Sequence, residues 1–292
     1  WVLAGRYAAR LDYPTNVMEF QRADCAPRAT LGDGQITVID WVQVGRYLVA
    51  FDPLTPVGGP SEEMAEGQTA GATVRQAGDD GVPGRQLRMA EGLLLRDQSV
   101  TLDVSMQALG NENALGFSVS FDPAVLSFAG ATPVPEPVGA TLHVNSQQAG
   151  AGRLGLVLAL TSGNTFSAGT KEVAKLTFNA ATPASTNCMV ALVDQPVPRQ
   201  ISDANAMPLA ATYQNASIIV NPLPELRIMQ VEQDIVLSWP LWASNFTLHE
   251  ASSLVLPPEW TPVEGEPGTG AGEHKLTQPL NGSGKFYRLI AQ

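Results

Sequence analysis

The stretch Asn113–Phe128, NALGFSVSFDPAVLSF, decides the fold. Phe117, Val119 and Phe121 alternate with small residues, which predicts a strand with one apolar face because side chains of a strand point alternately to its two sides. Asp122-Pro123 is typical of a tight turn, and a second apolar segment follows it. The stretch therefore predicts two strands joined by a short turn.

The same period of two recurs on both sides of this stretch. Clusters of Gly, Pro, Asn and Asp separate the segments, and no helical period lies between them. Many short strands without helices indicate an antiparallel β-sandwich, here over residues 86–221. The segments are Ser99–Met106, Gly116–Phe121, Gly155–Leu160, Ala174–Phe178, Met189–Val193 and Ala216–Val220.

A second set of short strands follows Asn221-Pro-Leu-Pro224 and predicts another sandwich over residues 222–292. It has a Trp early and a Tyr late, and in this it resembles a small fibronectin type III-like domain. Phe286 or Tyr287 is expected in its core. The segments are Leu226–Met229, Ile235–Trp239, Asn245–His249, Glu259–Val263 and Lys285–Ile290.

The residues before the first sandwich differ in composition. Residues 53–85 are rich in Gly, Pro, Ser, Thr and Glu and carry few large apolar side chains, so we interpret them as a linker. Residues 1–52 have helical character. The predicted fold class is thus mostly β, with two antiparallel β-sandwich domains preceded by a small helical, EF-hand-like calcium module.

The calcium prediction comes from the residues around Gly32-Asp33-Gly34. A calcium loop of the EF-hand type places oxygen ligands at alternate positions around a glycine turn and runs directly into a helix. Gly34 would make the turn, and Ile36 would point inward. The predicted ligands are Asp33, Gln35 through its carbonyl, Asp40 and, as a further candidate, Thr37.

The first half of this loop departs from the standard spacing. Ala29 and Leu31 stand where ligands should be, and neither side chain can bind a hard cation. Asp24 is the nearest acidic residue before them, and we predict that it is a ligand as well. This role requires the residues between Asp24 and Asp33 to loop outward. The alternative is an Asp-Gly turn followed by an N-cap at Asp40, with no metal.

An internal repeat supports the calcium prediction. The helix that follows the loop, Trp41–Asp52, repeats Trp1–Asp12 at an offset of 40, and Trp, Val, Gly, Arg, Tyr and the final Asp coincide. Two such units in tandem resemble the dockerin module, a small calcium-folded domain that binds cohesins. The resemblance covers residues 1–52, and the loop that would precede the first helix is expected upstream of residue 1.

The first sandwich carries a resemblance as well. The stretch Asn113–Phe128 and the closing strand Tyr213–Val220 are similar to the cohesin module, the receptor for dockerins. This match spans residues 86–221. The resemblance implies a protein-binding role. Because it depends on a pattern of apolar positions, it does not identify the contact residues.

One face of the second repeat helix is predicted to be core. Trp41, Val44, Gly45 and Leu48 recur at helical spacing and form that face. Gln43 and Arg46 lie off the stripe. We therefore interpret Gln43 and Arg46 as candidate partner contacts.

Composition excludes several classes of function. The chain has 17 basic and 28 acidic residues among 292, a net charge of −11, which argues against a nucleic-acid surface. The longest apolar run, Leu154–Leu160, is too short to cross a bilayer. The two cysteines, Cys25 and Cys188, leave a disulfide and two free thiols open as alternatives.

Enzymatic chemistry is not indicated. The three histidines, His143, His249 and His274, have no metal-ligand spacing, and no Gly-x-Ser-x-Gly sequence occurs. We therefore expect no enzyme.

The sequence leads to two functional hypotheses. The first is an extracellular or cell-surface, non-enzymatic assembly or adhesion protein, whose calcium-stabilised module binds copies of itself or other dockerin- or cohesin-bearing chains. Contacts between chains would build head-to-tail filaments, and contacts within one chain would give a closed monomer. The alternative is a carbohydrate-binding accessory region of a larger cell-surface enzyme, with Trp242 and Trp260 as sugar platforms.

Overall fold

The computed structural model describes residues 1–63, 84–95, 98–133, 139–181, 186–255, 257–280 and 284–291. Most of the predicted linker, residues 64–83, lies outside these ranges. The chain forms two compact units, Trp1–Asn221 and Pro222–Gln292. The helical N-terminal residues and the first sandwich therefore belong to one unit.

Three short helices form the N-terminal part, which we call the helical module (residues 1–52). They are α1 (Val2–Ala8), α2 (Val17–Ala23) and α3 (Val38–Leu48). Side chains cap two of them: Asn16 accepts the Glu19 N–H at the start of α2, and Thr37 caps α3. No helix in the described residues is long and apolar enough to span a membrane.

The sequence repeat is also a structural repeat at the ends of α1 and α3. Arg10 and Ala50, which are 40 residues apart, both have positive φ, 58° and 59°. Their amides bond the equivalent carbonyls, those of Tyr7 and Tyr47. This left-handed turn ends each helix and directs the chain back along it.

Within its described residues, the first sandwich contains thirteen strands. They are β1 (Gln86–Met89), β2 (Gly92–Leu95), β3 (Ser99–Ala108), β4 (Glu112–Ser120), β5 (Leu126–Pro133), β6 (Thr141–Asn145), β7 (Arg153–Ala159), β8 (Gly169–Ala180), β9 (Thr186–Val193), β10 (Gln200–Asp203), β11 (Pro208–Leu209), β12 (Thr212–Gln214) and β13 (Ala216–Asn221). All six predicted segments overlap these strands, and two of them run one residue past the strand end, so the predicted β-sandwich is confirmed.

Two sheets enclose the core of this sandwich. One has the order β12-β1-β3-β8-β5, and the other runs β11-β10-β4-β9-β13-β2 with β7 paired to β4 and β6 paired to β7. The pairs β1–β12 and β2–β13 are parallel, a departure from the antiparallel prediction. Buried side chains of both sheets, such as Leu102 and Phe117, form one apolar cluster between them.

The described part of the second unit contains seven strands in two small sheets. They are β14 (Arg227–Val231), β15 (Asp234–Pro240), β16 (Phe246–Ala251), β17 (Thr261–Pro262), β18 (Gly268–Gly270), β19 (Glu273–Pro279) and β20 (Phe286–Ala291). The sheet orders are β14-β15-β19-β18 and β17-β16-β20. Leu237 and Trp239 are central in its core; Tyr287 packs on that core, whereas Phe286 is exposed.

Candidate functional site

The loop between α2 and α3 brings Asp24 next to Gly32-Asp33-Gly34. Asp24 ends α2 and is fully buried, and its carboxylate accepts the N–H groups of Asp33 (3.0 Å) and Gly34 (2.8 Å). The intervening residues turn outward: the amide of Gly32 bonds the Pro27 carbonyl, and Pro27 is exposed. This is the outward loop that the ligand role of Asp24 requires.

Glycine is required at both ends of this turn. Gly32 has φ +113°, and a Cβ there would stand 2.5 Å from the Asp24 carboxylate. Gly34 has φ +86°. L residues rarely adopt these angles, so the two glycines allow the backbone to wrap around the Asp24 oxygens. Ile36 follows and is buried, as expected.

The carboxylate of Asp40 holds the loop against α3. Its Oδ1 accepts the N–H groups of Cys25 and Ala26, both at 2.8 Å, and its Oδ2 accepts the Thr37 N–H (2.9 Å) and Oγ1–H (3.3 Å). Thr37 is the N-cap of α3, and Asp40 completes a capping box from the third helical position. The N-cap is therefore Thr37, and the metal-free alternative, which placed the N-cap at Asp40, was wrong about the capping residue.

The other two predicted ligands are near the same turn. Asp33 accepts the Gln35 N–H with its own carboxylate at 3.0 Å, which is a local turn of the backbone. Both Asp33 and Gln35 are half-buried. Asp33 and Gln35 thus remain accessible, whereas Thr37 and Asp40 are buried in the cap.

Burial makes this loop electrostatically unfavourable without a cation. Desolvation, with the nearby negative charge of Asp33, raises the pKa of Asp24 to about 6. Burial also raises the pKa of Asp33, and it raises that of Asp40 well above its usual value. A divalent cation would favour the ionised carboxylates and offset this cost.

The donor set fits calcium only in part. Asp24, Asp33 and the Gln35 carbonyl offer the oxygen donors that calcium prefers. Asp40 already accepts four hydrogen bonds, about as many as a carboxylate has lone pairs, so it could bind a cation only by releasing some of them. Among the described residues, no three acidic, histidine or cysteine side chains converge as ligands of one metal ion. Calcium binding therefore stays a prediction.

The helical module packs on the outward side of β4, β6, β7 and β10, which we call the docking face. Trp41 and Val42 of α3 and three alanines of α1 and its end form one buried cluster with side chains of the sandwich. The sandwich side chains in that cluster are Ala114, Val157, Ala159, Val197 and Ala206. Small residues there let the helices approach closely.

Polar contacts hold each end of this interface. The Arg46 guanidinium donates to the Ala204 carbonyl (2.6 Å) and to Asn205 Oδ1 (3.1 Å) in the turn after β10. At the other end, Asn145 Nδ2 donates to the carbonyls of Ala9 (3.0 Å) and Arg10 (2.9 Å), which end α1. Asn145 and Asn205 carry no sequence signal that marks them as contacts.

Two residues of α3, Gln43 and Leu48, lie in surroundings that differ from those predicted. Gln43 is buried and donates to Asp52 (2.9 Å), so it stabilises the module itself. Arg46 reaches the docking face. Trp41 is fully buried, but Leu48 is 72% exposed, so its predicted core position was wrong. Leu48 is the last residue of α3, beyond the contact with the sandwich.

The two cysteines and the two predicted sugar platforms lie in packed surroundings. Cys25 and Cys188 are free, buried thiols. The predicted sugar platforms Trp242 and Trp260 are both half-buried; Trp242 packs on the core of the second unit, and the Arg288 guanidinium lies 4.1 Å from the centroid of the Trp260 ring.

Comparisons with known proteins gave structural matches only. Neither the known protein families nor the curated proteins contain a match to the sequence. Solved cohesin structures match about half of the chain at low identity.

Three of these structures illustrate the range of likeness. The sixth cohesin of Acetivibrio cellulolyticus scaffoldin B, solved with the Cel5 dockerin, is 19% identical over 47% of this chain and 99% of its own, with a TM-score of 0.41. The seventh ScaB type I cohesin of Pseudobacteroides cellulosolvens is 14% identical over 51% of this chain and 99% of its own, with a TM-score of 0.43. A non-cellulosomal cohesin of Archaeoglobus fulgidus is 9% identical over 47% of this chain and 91% of its own, with a TM-score of 0.40.

Proposed function

We propose that this chain is a non-enzymatic assembly protein of the extracellular space or cell surface. Its calcium-stabilised helical module docks on the face of a β-sandwich, as a dockerin-like module would on a cohesin-like one. The single observation that carries the proposal is the docked arrangement within the chain, in which α3 covers β4 and β7 and the α1 segment packs on β6. The same face could receive the module of another copy, which would build a head-to-tail assembly.

The composition of the docking face supports this role. β4 is buried on both sides: Leu115 and Phe117 face the sandwich core, and Ala114 faces the helices. β7 is similar, with Leu156 inward and Val157 outward. A strand of a free sandwich would instead present polar side chains to water. The small and apolar side chains on the outward side of these two strands thus support a protein contact there.

The test uses the complete chain with a protease site placed within residues 64–83. After cleavage, the helical module is held only by its contact with the docking face, so co-elution of the two pieces in size-exclusion chromatography measures docking. We expect co-elution in calcium. Arg46→Ala should weaken it by about 10- to 100-fold, because a hydrogen bond from a charged group contributes about 1.5–3 kcal/mol.

The repeat provides a matched control. Arg6 pairs with Asp12 at 2.5 Å as Arg46 pairs with Asp52 at 2.8 Å, but only Arg46 is bonded to the docking face. Arg6→Ala should therefore leave co-elution at neutral pH close to that of the parent. Separation of the parent pieces in calcium, or equal effects of the two variants, would contradict the proposal.

Assembly between chains is tested by deleting most of residues 64–83. A module that can no longer reach its own docking face should bind that of a neighbour, so light scattering should detect dimers or larger species. A deletion variant that stays monomeric at every concentration would refute the head-to-tail step.

A further inference from the structure

One ionisable side chain lies inside the docked interface. His143 belongs to β6 and lies opposite Val157 of β7 on the docking face. Its ring centroid is 5.2 Å from that of Trp41, the buried indole of α3. A Cβ added to Gly5 of α1 would stand 2.9 Å from His143 Nε2, so the helix backbone packs directly on the imidazole. The ring therefore contacts both helices that dock.

The surroundings of this imidazole suit its neutral form. Nε2 is buried and has no hydrogen-bond partner among the described residues. Across β7 the ring lies opposite Val157, which is apolar and offers no side-chain acceptor, while Leu142 and Val144 pack on the core at the other face of β6. A second proton on the ring would place a charged N–H where nothing accepts it.

The charged groups around the ring also disfavour an imidazolium. From α1 the Arg6 guanidinium acts on it, itself paired with Asp12. From α3 the ring meets the uncharged Trp41; the adjacent Asp40 has its carboxylate oxygens engaged by Cys25, Ala26 and Thr37. Burial, followed by the positive charge of Arg6, lowers the pKa of His143 below its usual value.

We propose that His143 is a pH-sensitive latch of the docked interface: protonation of its imidazole loosens the helical module from the docking face, so that mild acid releases the module. This regulation rests on the proposed function, because it acts on the same contact. Release would free the small-residue surface of β4 and β7, which the docked helices cover at neutral pH.

The direction and size of the effect follow from proton linkage. In the released state the ring is hydrated and titrates near pH 6.5, whereas in the docked state it resists protonation. Docking is therefore at full strength above about pH 6.5 and weakens as the pH falls below it. At one pH unit below, the docking equilibrium falls by up to about tenfold. The Trp41 ring would attract an imidazolium, and this attraction reduces the effect but does not supply the missing acceptor for Nε2–H.

The experiment measures co-elution of the cleaved full chain in excess calcium at about pH 7.5 and about pH 5.5. We expect the dissociation constant of the parent to rise several-fold at the lower pH, up to about tenfold. His143→Gln keeps a neutral polar side chain and should dock with nearly the same affinity at both pH values. Arg6→Ala keeps His143 and removes the repulsive charge, so its pH dependence should be shallower than that of the parent.

The outcomes separate this inference from the proposed function. Pieces that stay together at about pH 7.5 with an unchanged affinity at about pH 5.5 would overturn the latch and leave the docking proposal standing. An equal loss in the parent and in His143→Gln would also overturn it, and would assign the effect to the carboxylates of the calcium loop. Should His143→Gln fail to fold, His143→Asn, which is also neutral and polar, takes its place. A pH dependence as steep as that of the parent then overturns the latch. Pieces that do not associate at neutral pH refute both proposals.

Discussion

Replacing Asp24 by asparagine should separate the burial cost of the loop from its calcium affinity. Asp24 is fully buried and accepts the N–H groups of Asp33 and Gly34. Asparagine keeps the shape and one acceptor oxygen but removes the charge. In chelator the substitution removes a buried negative charge, whereas in calcium it removes a predicted ligand of the ion.

The magnitude follows from the pKa of Asp24, which is raised to about 6 from 3.8. The folded state binds more protons than the unfolded state between these two values, so the calcium-free chain loses stability as the pH rises from about 4 to about 6. The full penalty, on the order of 3 kcal/mol, is present above pH 6. Asp24→Asn has no such penalty but loses a charge-assisted hydrogen bond of about 1.5–3 kcal/mol. Near neutral pH in chelator, the variant should thus be about as stable as the parent.

In calcium the parent should instead be more stable than Asp24→Asn. An ion at a hundred times its dissociation constant stabilises the parent by about 2.7 kcal/mol, and Asp24→Asn should gain much less. Urea unfolding with and without chelator at several pH values measures both effects, and Asp33→Asn tests the second carboxylate. A parent chain whose stability is indifferent to calcium, or a variant that gains as much from calcium as the parent, would refute the calcium role of Asp24.

Two further substitutions test how the fold is held together. Gly32→Ala places a Cβ 2.5 Å from the Asp24 carboxylate at φ +113°, and should lower the free energy of unfolding by about 1–3 kcal/mol in urea melts. Its control is Gly150→Ala, whose Cβ would meet no neighbouring atom within 4 Å and which should change the free energy of unfolding by less than about 1 kcal/mol. Glu112→Gln breaks a buried pair with Arg85, whose Nε lies 2.5 Å away, and should cost about 3–5 kcal/mol by the same measurement. The prediction about Gly32 fails if the two glycine variants are equally stable, and that about Glu112 fails if the loss is below about 1 kcal/mol.

The strands were predictable because their signal is local. Apolar side chains at every second position, as in Phe117 and Val119, report a buried face without knowledge of the neighbouring strand. The parallel pairs β1–β12 and β2–β13 were not predictable, since nothing in short segments such as Gln86–Met89 specifies a partner more than a hundred residues away. Which strands pair across such long separations in the sequence depends on how the core packs.

The candidate site was predictable in its loop and not in its interface. Asp24 is the nearest acidic residue before the Asp33 turn, and the structure brings it to that turn although the spacing is not the standard one. Asn145 and His143 are single polar residues on a strand, and only the arrival of α1 and α3 gives them a role. Leu48 was misplaced for a related reason: a helical stripe predicts a buried face, but it does not predict how far along the helix the neighbouring surface extends.

The covered side of the sandwich nevertheless has a signature in the sequence. Along β3, Thr101, Asp103, Ser105 and Gln107 alternate with buried residues, as expected for a strand whose other face meets water. Along β4 the equivalent positions are Ala114, Gly116 and Ser118, and all three are buried. Small uncharged residues at these three outward positions gain little from water, and they leave room for another element to approach. The size of the outward residues of β4, more than their polarity, thus predicts that other elements pack on this strand. In this chain the helical module packs at Ala114, and the segment around Val197 covers Gly116 and Ser118.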